Sequence, residues 1–366
     1  MQVPLAPLVL CECATCGLVQ LEVTVERGLL FNEKYPYRSG TNNTVREHLK
    51  GVVEQASSLV RLEANEVVLD IGYNDGTLLY EWPHKVRAVG FDPAGQWLFD
   101  EMYDFQEPFS ARGFSAHMWN GNIPAKAKVV TSIAMFYDLD YPQAFVNDIA
   151  KVLAPDGVWI NEFNYLGAMV KNHAYDMIGH EHLCYYRLSD MTTLAAAGGL
   201  EVVHAETNAM NGGSLRVVVK HRGSGARDGT VDALLREEAE SEPRTGWWIE
   251  ACKELAKRLL DVVRFQYGEG KHIWVRGAST RGLTMLHKAG IARYIEGAGD
   301  RNPEKWGCYI PGTGIQIRSE AEANAEADYQ LLLPYSYLDE ILGRSKEFLA
   351  RGGKFIIPVP EVRLVP

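Results

Sequence analysis

One short stretch constrains this chain more than any other. In EVVLDIGYNDGTLL, Val67, Val68, Leu69 and Ile71 form a β-branched apolar run, followed at once by Gly72, Asn74, Asp75 and Gly76 and then a helix-like stretch. A strand running into a Gly-containing loop and a helix is the opening unit of a mostly parallel α/β sheet, with a ligand expected at the loop. Small loop residues let the backbone approach that ligand, and the following helix offers free N–H groups. Asp70, at the strand end, is placed to hold an ammonium group. Asp92 closes the next strand in VGFD, where a carboxylate can accept both hydroxyls of an adenosine ribose. The GxGxxG pattern of nicotinamide-binding folds is absent. The xDxGxxDG pattern with a later strand-end Asp fits S-adenosylmethionine better. Ser132 to Tyr137, including Met135, end a further strand and are expected to line the same cleft.

Similar units follow along the chain. VRAVGFDPAG reads as a second strand with its turn, KVVTSIAMFYDL as a later one, and PQAFVNDIAKVLAPDG as an amphipathic helix closed by a turn before the strand VWINEF. LEVVHAETNA and SLRVVVKHR predict an antiparallel pair joined by an Asn-Gly-Gly turn. Before the first strand, Leu49, Val52, Val53 and Ala56 predict one apolar helix face between Val45 and Val60. After the linker-like GSGARDGT comes a long helical region, and HIWVRGASTRGLTMLHKAG then repeats the strand, Gly loop, helix theme, with YQLLLP and GGKFIIPVP as further strands. The expected division is a Cys-containing segment over 1–40, a Rossmann-like methyltransferase sheet over 41–225, a helical connector over 226–267 and a second Rossmann-like α/β domain over 268–366.

The net charge of -10 argues against a nucleic-acid partner, because phosphate binding needs clustered Lys and Arg. No apolar run approaches the roughly 20 residues of a membrane helix. The start, MQVPLAPLVLCEC, lacks the basic region and cleavage site of a signal peptide. Cys11, Cys13 and Cys16 crowd one end while Cys184, Cys252 and Cys308 are scattered, which is no disulfide framework and points to the cytoplasm.

The segment YDMIGHEHLCYY packs His180, Glu181 and His182 next to Tyr185 and Tyr186. In an extended segment the two imidazoles would share a side and Glu181 would point away. Imidazole is the usual proton acceptor near neutral pH, so the motif predicts a general base. It could instead hold a metal, although no third ligand has evident spacing, or be a polar surface loop.

At this point the residues carry a resemblance. The chain resembles the sugar C-methyltransferase family, which acts on nucleotide-linked keto-deoxysugars. CATCGLVQL is similar to the end of that family's zinc-binding segment and LFNEKYPYRSGTNNTVREH to its tyrosine-containing connector. The Gly loop, the HEH segment, NGGSLRVVV, GASTRGLTMLHKAGI, DRNPEKWGCYIPGT and GGKFIIPVPE follow in family order over almost the whole chain. The resemblance implies an S-adenosylmethionine-dependent C-methyltransferase. A base removes the proton beside a ketone, and the resulting enolate takes the methyl group. It assigns the base to His182, with His180 and Glu181 orienting it. It places Tyr35, Tyr37 and Asn211 near the substrate, beside Tyr137 of the strand-end stretch, and Ser279, Thr280 and Arg281 at a helix start that would seat a diphosphate. For the tyrosines and the second domain, plain packing is the competing reading.

The chain also departs from the family pattern. One CxxC pair, Cys13 and Cys16, stands where the family has two, leaving either Cys11, Cys13 and Cys16 as candidate zinc ligands with a fourth unidentified, or a metal-free remnant of that site. Gly179 replaces a Tyr before HEH, and SIAMFYDL replaces a stretch that often contains His. These changes leave the cofactor intact and open the acceptor. O- or N-methylation of another small metabolite and a non-catalytic ligand-binding scaffold are the alternatives.

Overall fold

The computed structural model describes residues 6–32, 35, 37–93, 125–241 and 245–366. Ala94 and Gly95 of the expected VRAVGFDPAG turn, Met1–Leu5 of the apolar start, and Glu33, Lys34 and Pro36 of the connector lie outside them.

A first sheet has the strand order Arg87–Phe91, Val67–Ile71, Ala127–Ile133, Leu153–Asn164, Ser214–His221, Leu200–Asn208. The first four strands are parallel, and Ser214–His221 runs antiparallel to both of its neighbours, Leu153–Asn164 and Leu200–Asn208. The two antiparallel strands flank the Asn-Gly-Gly turn, in which Asn211, Gly212 and Gly213 all have positive φ. The central strand Val67–Ile71 is buried throughout, as a sheet covered on both faces requires. The helix Asn43–Leu59 packs Val45, Leu49, Val52, Val53 and Ala56 inward, and Asn42 caps it by accepting from the Thr44 N–H. Phe136, Phe163, Trp159 and Tyr186 form an aromatic cluster in the core, with the Phe136 and Tyr186 ring centroids 5.0 Å apart.

One expected helix is absent. The stretch after the Gly loop forms only a 3-10 turn, Leu79–Glu81. Pro83 follows Trp82 directly, and a residue before proline is driven out of the helical region; Trp82 is extended, with φ -71 and ψ 143.

A second six-stranded sheet has the order Ile317–Ser319, Gly297–Asp300, Ile273–Arg276, Tyr329–Leu332, Lys354–Ile357, Arg363–Val365, parallel but for its last strand. The first sheet falls within 41–225 and the second within 268–366. The helices Gly229–Ser241 and Thr245–Gly268 connect them. Among the described residues no helix is long and apolar enough to cross a membrane.

The Cys-containing segment is a hairpin, Leu10–Glu12 with Val19–Leu21, and its inner strand pairs with Cys184–Tyr185 of the first domain. Val19 and Leu21 are buried, and the Leu21 N–H donates to Leu183. The candidate zinc ligands do not assemble: among the described residues no group of three His, Cys, Asp or Glu is placed to hold a metal. Cys11 is fixed in the ladder opposite Gln20, whereas Cys13 and Cys16 belong to the turn. There the Cys16 and Thr15 N–H groups and the Cys16 thiol hold the Cys13 thiol below its ordinary pKa.

Candidate active site

A cavity of about 920 Å³ opens beyond the carboxyl ends of the parallel strands of the first sheet. That is where an open α/β sheet places its ligand. One end is made by Asp70, Gly72, Asn74 and Asp92. Gly72 has φ +80, and a Cβ there would lie 2.9 Å from Met135 Cγ, so only glycine keeps this turn. The Asn74 N–H donates to Asp92 Oδ2 at 2.8 Å, which fixes the second strand end against the loop. Asp70 is 3% exposed and accepts from Thr131 Oγ1 at 2.7 Å. Burial pushes its carboxyl up to about 7, with Asp92 adding to the rise and Thr131 opposing it.

The tyrosine-containing connector lies on this loop. Asn74 accepts from the Ser39 N–H and donates to the Tyr37 carbonyl, while Asp75 Oδ2 accepts from the Gly40 N–H at 2.8 Å. Asp75 also accepts from Thr77, so it braces the connector rather than facing the cavity. Tyr35, Tyr37, Met135 and Asn211 join the cavity wall; Asp75, Gly76 and Ser132 do not. The expectation that Ser132 lines the cleft is corrected: it is fully buried, donating to Asn161 Oδ1 and accepting from Trp159 Nε1.

The HEH segment is a turn, not an extended strand. The His182 N–H donates to the Gly179 carbonyl at 3.0 Å, so the alternation expected of His180 and His182 does not apply. Gly179 has nothing within 4 Å of a would-be Cβ, so the missing Tyr leaves space. His182 Nδ1 lies 2.7 Å from the Met177 carbonyl and therefore carries the proton, which leaves the lone pair on Nε2. Burial lowers the His182 pKa to about 4; the Met177 bond opposes this, and Arg281 and Arg27 add to it. Tyr137 packs edge-on against the ring with centroids 4.4 Å apart. His180, Glu181, His182 and Tyr137 do not themselves line the cavity. Arg27 links the two regions: it lines the cavity and donates to the carbonyls of His180 and Glu181.

The second domain grips the same segment. Arg281 donates to Asp176 Oδ2 at 2.7 Å, Tyr335 donates to Asp176 Oδ1 at 3.0 Å, Thr284 donates to the Ile178 carbonyl and Thr280 to Glu181. Ser279 caps its own helix by accepting from Gly282. Ser279 and Arg281 therefore lie outside the cavity wall, and their polar groups are taken up by a helix cap and an ion pair. The Gly loop of this domain repeats that of the first, with the Ala278 N–H donating to Asp300 Oδ2 at 2.8 Å. Here, however, the Asn302 N–H and Lys305 Nζ also hold the Asp300 carboxylate, occupying the acceptor sites a ribose would use.

Sequence reasoning missed Arg27, Asp138 and a buried charge cluster on the cavity wall. In that cluster Glu162 accepts from Arg216 Nε at 2.8 Å and from Asn208, with His48 Nε2 2.6 Å away. Burial pushes Glu162 up, yet His48 and Arg216 hold it below the usual carboxylate range. No spacing in the sequence pairs residues so far apart.

Residues 43–205 match a methyltransferase domain family, and residues 209–360 match a C-methyltransferase C-terminal domain family. C-methyltransferase NovU of Streptomyces niveus is 29% identical over 371 residues, covering 99% of this chain and 88% of its own. The chain is thus similar to C-methyltransferases along nearly its whole length. It is an S-adenosylmethionine-dependent methyltransferase with a class I fold. Likenesses among solved structures are more distant. Magnesium protoporphyrin IX methyltransferase of Synechocystis PCC 6803 is 15% identical over 49% of this chain and 88% of its own, with a TM-score of 0.36. The YcgJ protein of Bacillus subtilis is 14% identical over 48% of this chain and 100% of its own, with a TM-score of 0.36. The cofactor fits the residues present: a glycine-only cradle lies between two buried carboxylates that open onto one cavity.

Proposed function

We propose that this methyltransferase is a C-methyltransferase that acts on the carbon beside the ketone of a nucleotide-linked keto-deoxysugar, with His182 as the base. The observation that carries the reading is Arg27, which lines the cofactor cavity and at the same time holds the turn that presents a neutral His182. Asp70 would hold the methionine ammonium group and Asp92 the ribose hydroxyls; bound there, S-adenosylmethionine supplies an electrophilic methyl group. Tyr35, Tyr37 and Asn211 would contact the acceptor, and Tyr137 positions the imidazole. The Met177 carbonyl fixes the tautomer so that Nε2 takes the proton from carbon. The low pKa describes the free site; the enolate formed beside the ring supplies the negative charge that stabilises the imidazolium. All six cysteines are free thiols, which supports a cytoplasmic location.

Two pH dependences follow. Because His182 stays neutral until pH falls toward 4, exchange of the acceptor proton with solvent should show no acidic loss between pH 7 and about 5. Deuterium incorporation across that range checks this, and a falling limb centred near the ordinary histidine pKa would contradict it. Cofactor affinity should behave differently. Only ionised Asp70 can pair with the ammonium group, so affinity should fall by about tenfold per pH unit below 7. Titration calorimetry across pH 5.5–8.5 (chosen to span the about 7 of Asp70) measures it, and Asp70→Asn should remove the dependence along with most of the affinity.

The ketosugar assignment is tested by incubating the protein with a panel of nucleotide-linked 4-keto-deoxysugars in deuterated water and following label and methyl by mass spectrometry. No exchange and no methylation, with cofactor binding intact, would move the reading to O- or N-methylation of another metabolite.

A further inference from the structure

Asp138 is a carboxyl that the chemistry described so far leaves unused. It follows Tyr137 in the 3-10 turn Phe136–Asp138, directly after the strand end that forms the cofactor cavity. It lines that cavity. Its Oδ1 is buried and has no hydrogen-bond partner among the described residues. Its neighbour Tyr137 packs against the His182 ring and accepts from the Leu183 N–H at 2.8 Å, so Asp138 emerges from the wall alongside the His182 turn.

We infer that Asp138 is a catalytic residue that donates a hydrogen bond from its protonated carboxyl to the ketone oxygen of the acceptor. The inference rests on the ketosugar reading. When His182 Nε2 takes the proton from the carbon beside the ketone, the C–H electron pair becomes the new C=C bond. The C=O π pair moves onto oxygen, where the Asp138 O–H meets it. The Asp138 proton stays on its carboxyl throughout, so the step consumes no further reagent. A neutral carboxylic acid in a water-poor site is a strong donor for a developing oxyanion.

The surroundings keep Asp138 protonated. Burial pushes its carboxyl well above the usual range and Glu181 adds to this, while Arg27 opposes it. Arg27 is already engaged by the carbonyls of His180 and Glu181, and lies 4.6 Å from the Phe31 ring centroid. Burial raises Tyr35, Tyr137, Tyr185, Tyr186 and the Cys184 thiol, and the nearby Asp138 carboxyl adds to each rise. The cation beside Asp138 is thus outweighed by burial and by a second carboxylate.

The test is cofactor-free deuterium exchange of nucleotide-linked 4-keto-deoxysugars, comparing wild type, Asp138→Asn and Asp138→Ala. Asp138→Ala should slow exchange by about 10²–10³-fold, the loss typical of one oxyanion donor. Asp138→Asn keeps an N–H donor of the same shape and should stay within about tenfold of wild type. Wild-type exchange should decline at alkaline pH as Asp138 ionises, and Asp138→Asn should lack that decline. Cofactor affinity should be the same in all three. Wild-type rates in Asp138→Ala, or an alkaline limb that persists in Asp138→Asn, would overturn the role of Asp138 and leave the ketosugar reading standing. A wild type that exchanges none of the ketones would overturn both.

Discussion

His182→Ala is expected to lower both solvent exchange of the acceptor proton and methyl transfer by about 10²–10⁴-fold, the usual contribution of a positioned general base. Cofactor affinity should not change, because His182 does not line the cavity whose far end holds Asp70, Gly72 and Asp92. The two losses should be equal, since one proton abstraction precedes both outcomes. His180→Ala should be far milder, because the tautomer-fixing Met177 bond belongs to His182. Mass-spectrometric rates for the three proteins, with calorimetry for the cofactor, decide the matter. Exchange lost while methylation persists would mean that the methyl goes to a lone pair rather than to carbon.

The second large effect concerns the grip between domains. Arg281→Met should destabilise the protein by about 3–5 kcal/mol, the penalty for leaving a buried charge without its partner. Asp176 is 1% exposed and takes Arg281 on one oxygen and Tyr335 on the other. Asp176 lies in the segment that leads into His182, so the same change should loosen the turn and reduce activity before global unfolding. Adding Asp176→Asn to Arg281→Met removes the stranded charge and should recover part of the lost stability, giving a non-zero coupling energy in a double-mutant cycle. Denaturant midpoints for the four proteins measure it. Strict additivity of the two single changes would show that the pair does not join the domains energetically.

Much of this arrangement was legible in the chain because it is local. The apolar run before Gly72, the strand-end Asp92 and the Asn-Gly-Gly turn each combine neighbouring residues with a periodicity that sets their shape. The same locality misled at two places. The stretch after the Gly loop read as a helix because Leu78 and Leu79 suit one, yet Pro83 limits it to a single turn. For HEH an extended geometry would put both imidazoles on one side, yet the Gly179 carbonyl closes a turn. What could not be read is long-range. Arg281 meets Asp176 across 105 positions and Arg216 meets Glu162 across 54. Asp138 carries no motif at all; its character comes from the burial that packing creates.

The most direct measurement follows the methyl group itself. The protein is incubated in deuterated water with a nucleotide-linked 4-keto-deoxysugar and S-adenosylmethionine carrying an isotope-labelled methyl group, and the product is resolved by NMR. A labelled methyl bonded to the carbon beside the ketone, together with deuterium in the recovered substrate at that same carbon, is the expected result. Label on oxygen or nitrogen, without any exchange of the carbon-bound proton, would contradict enolate chemistry at His182.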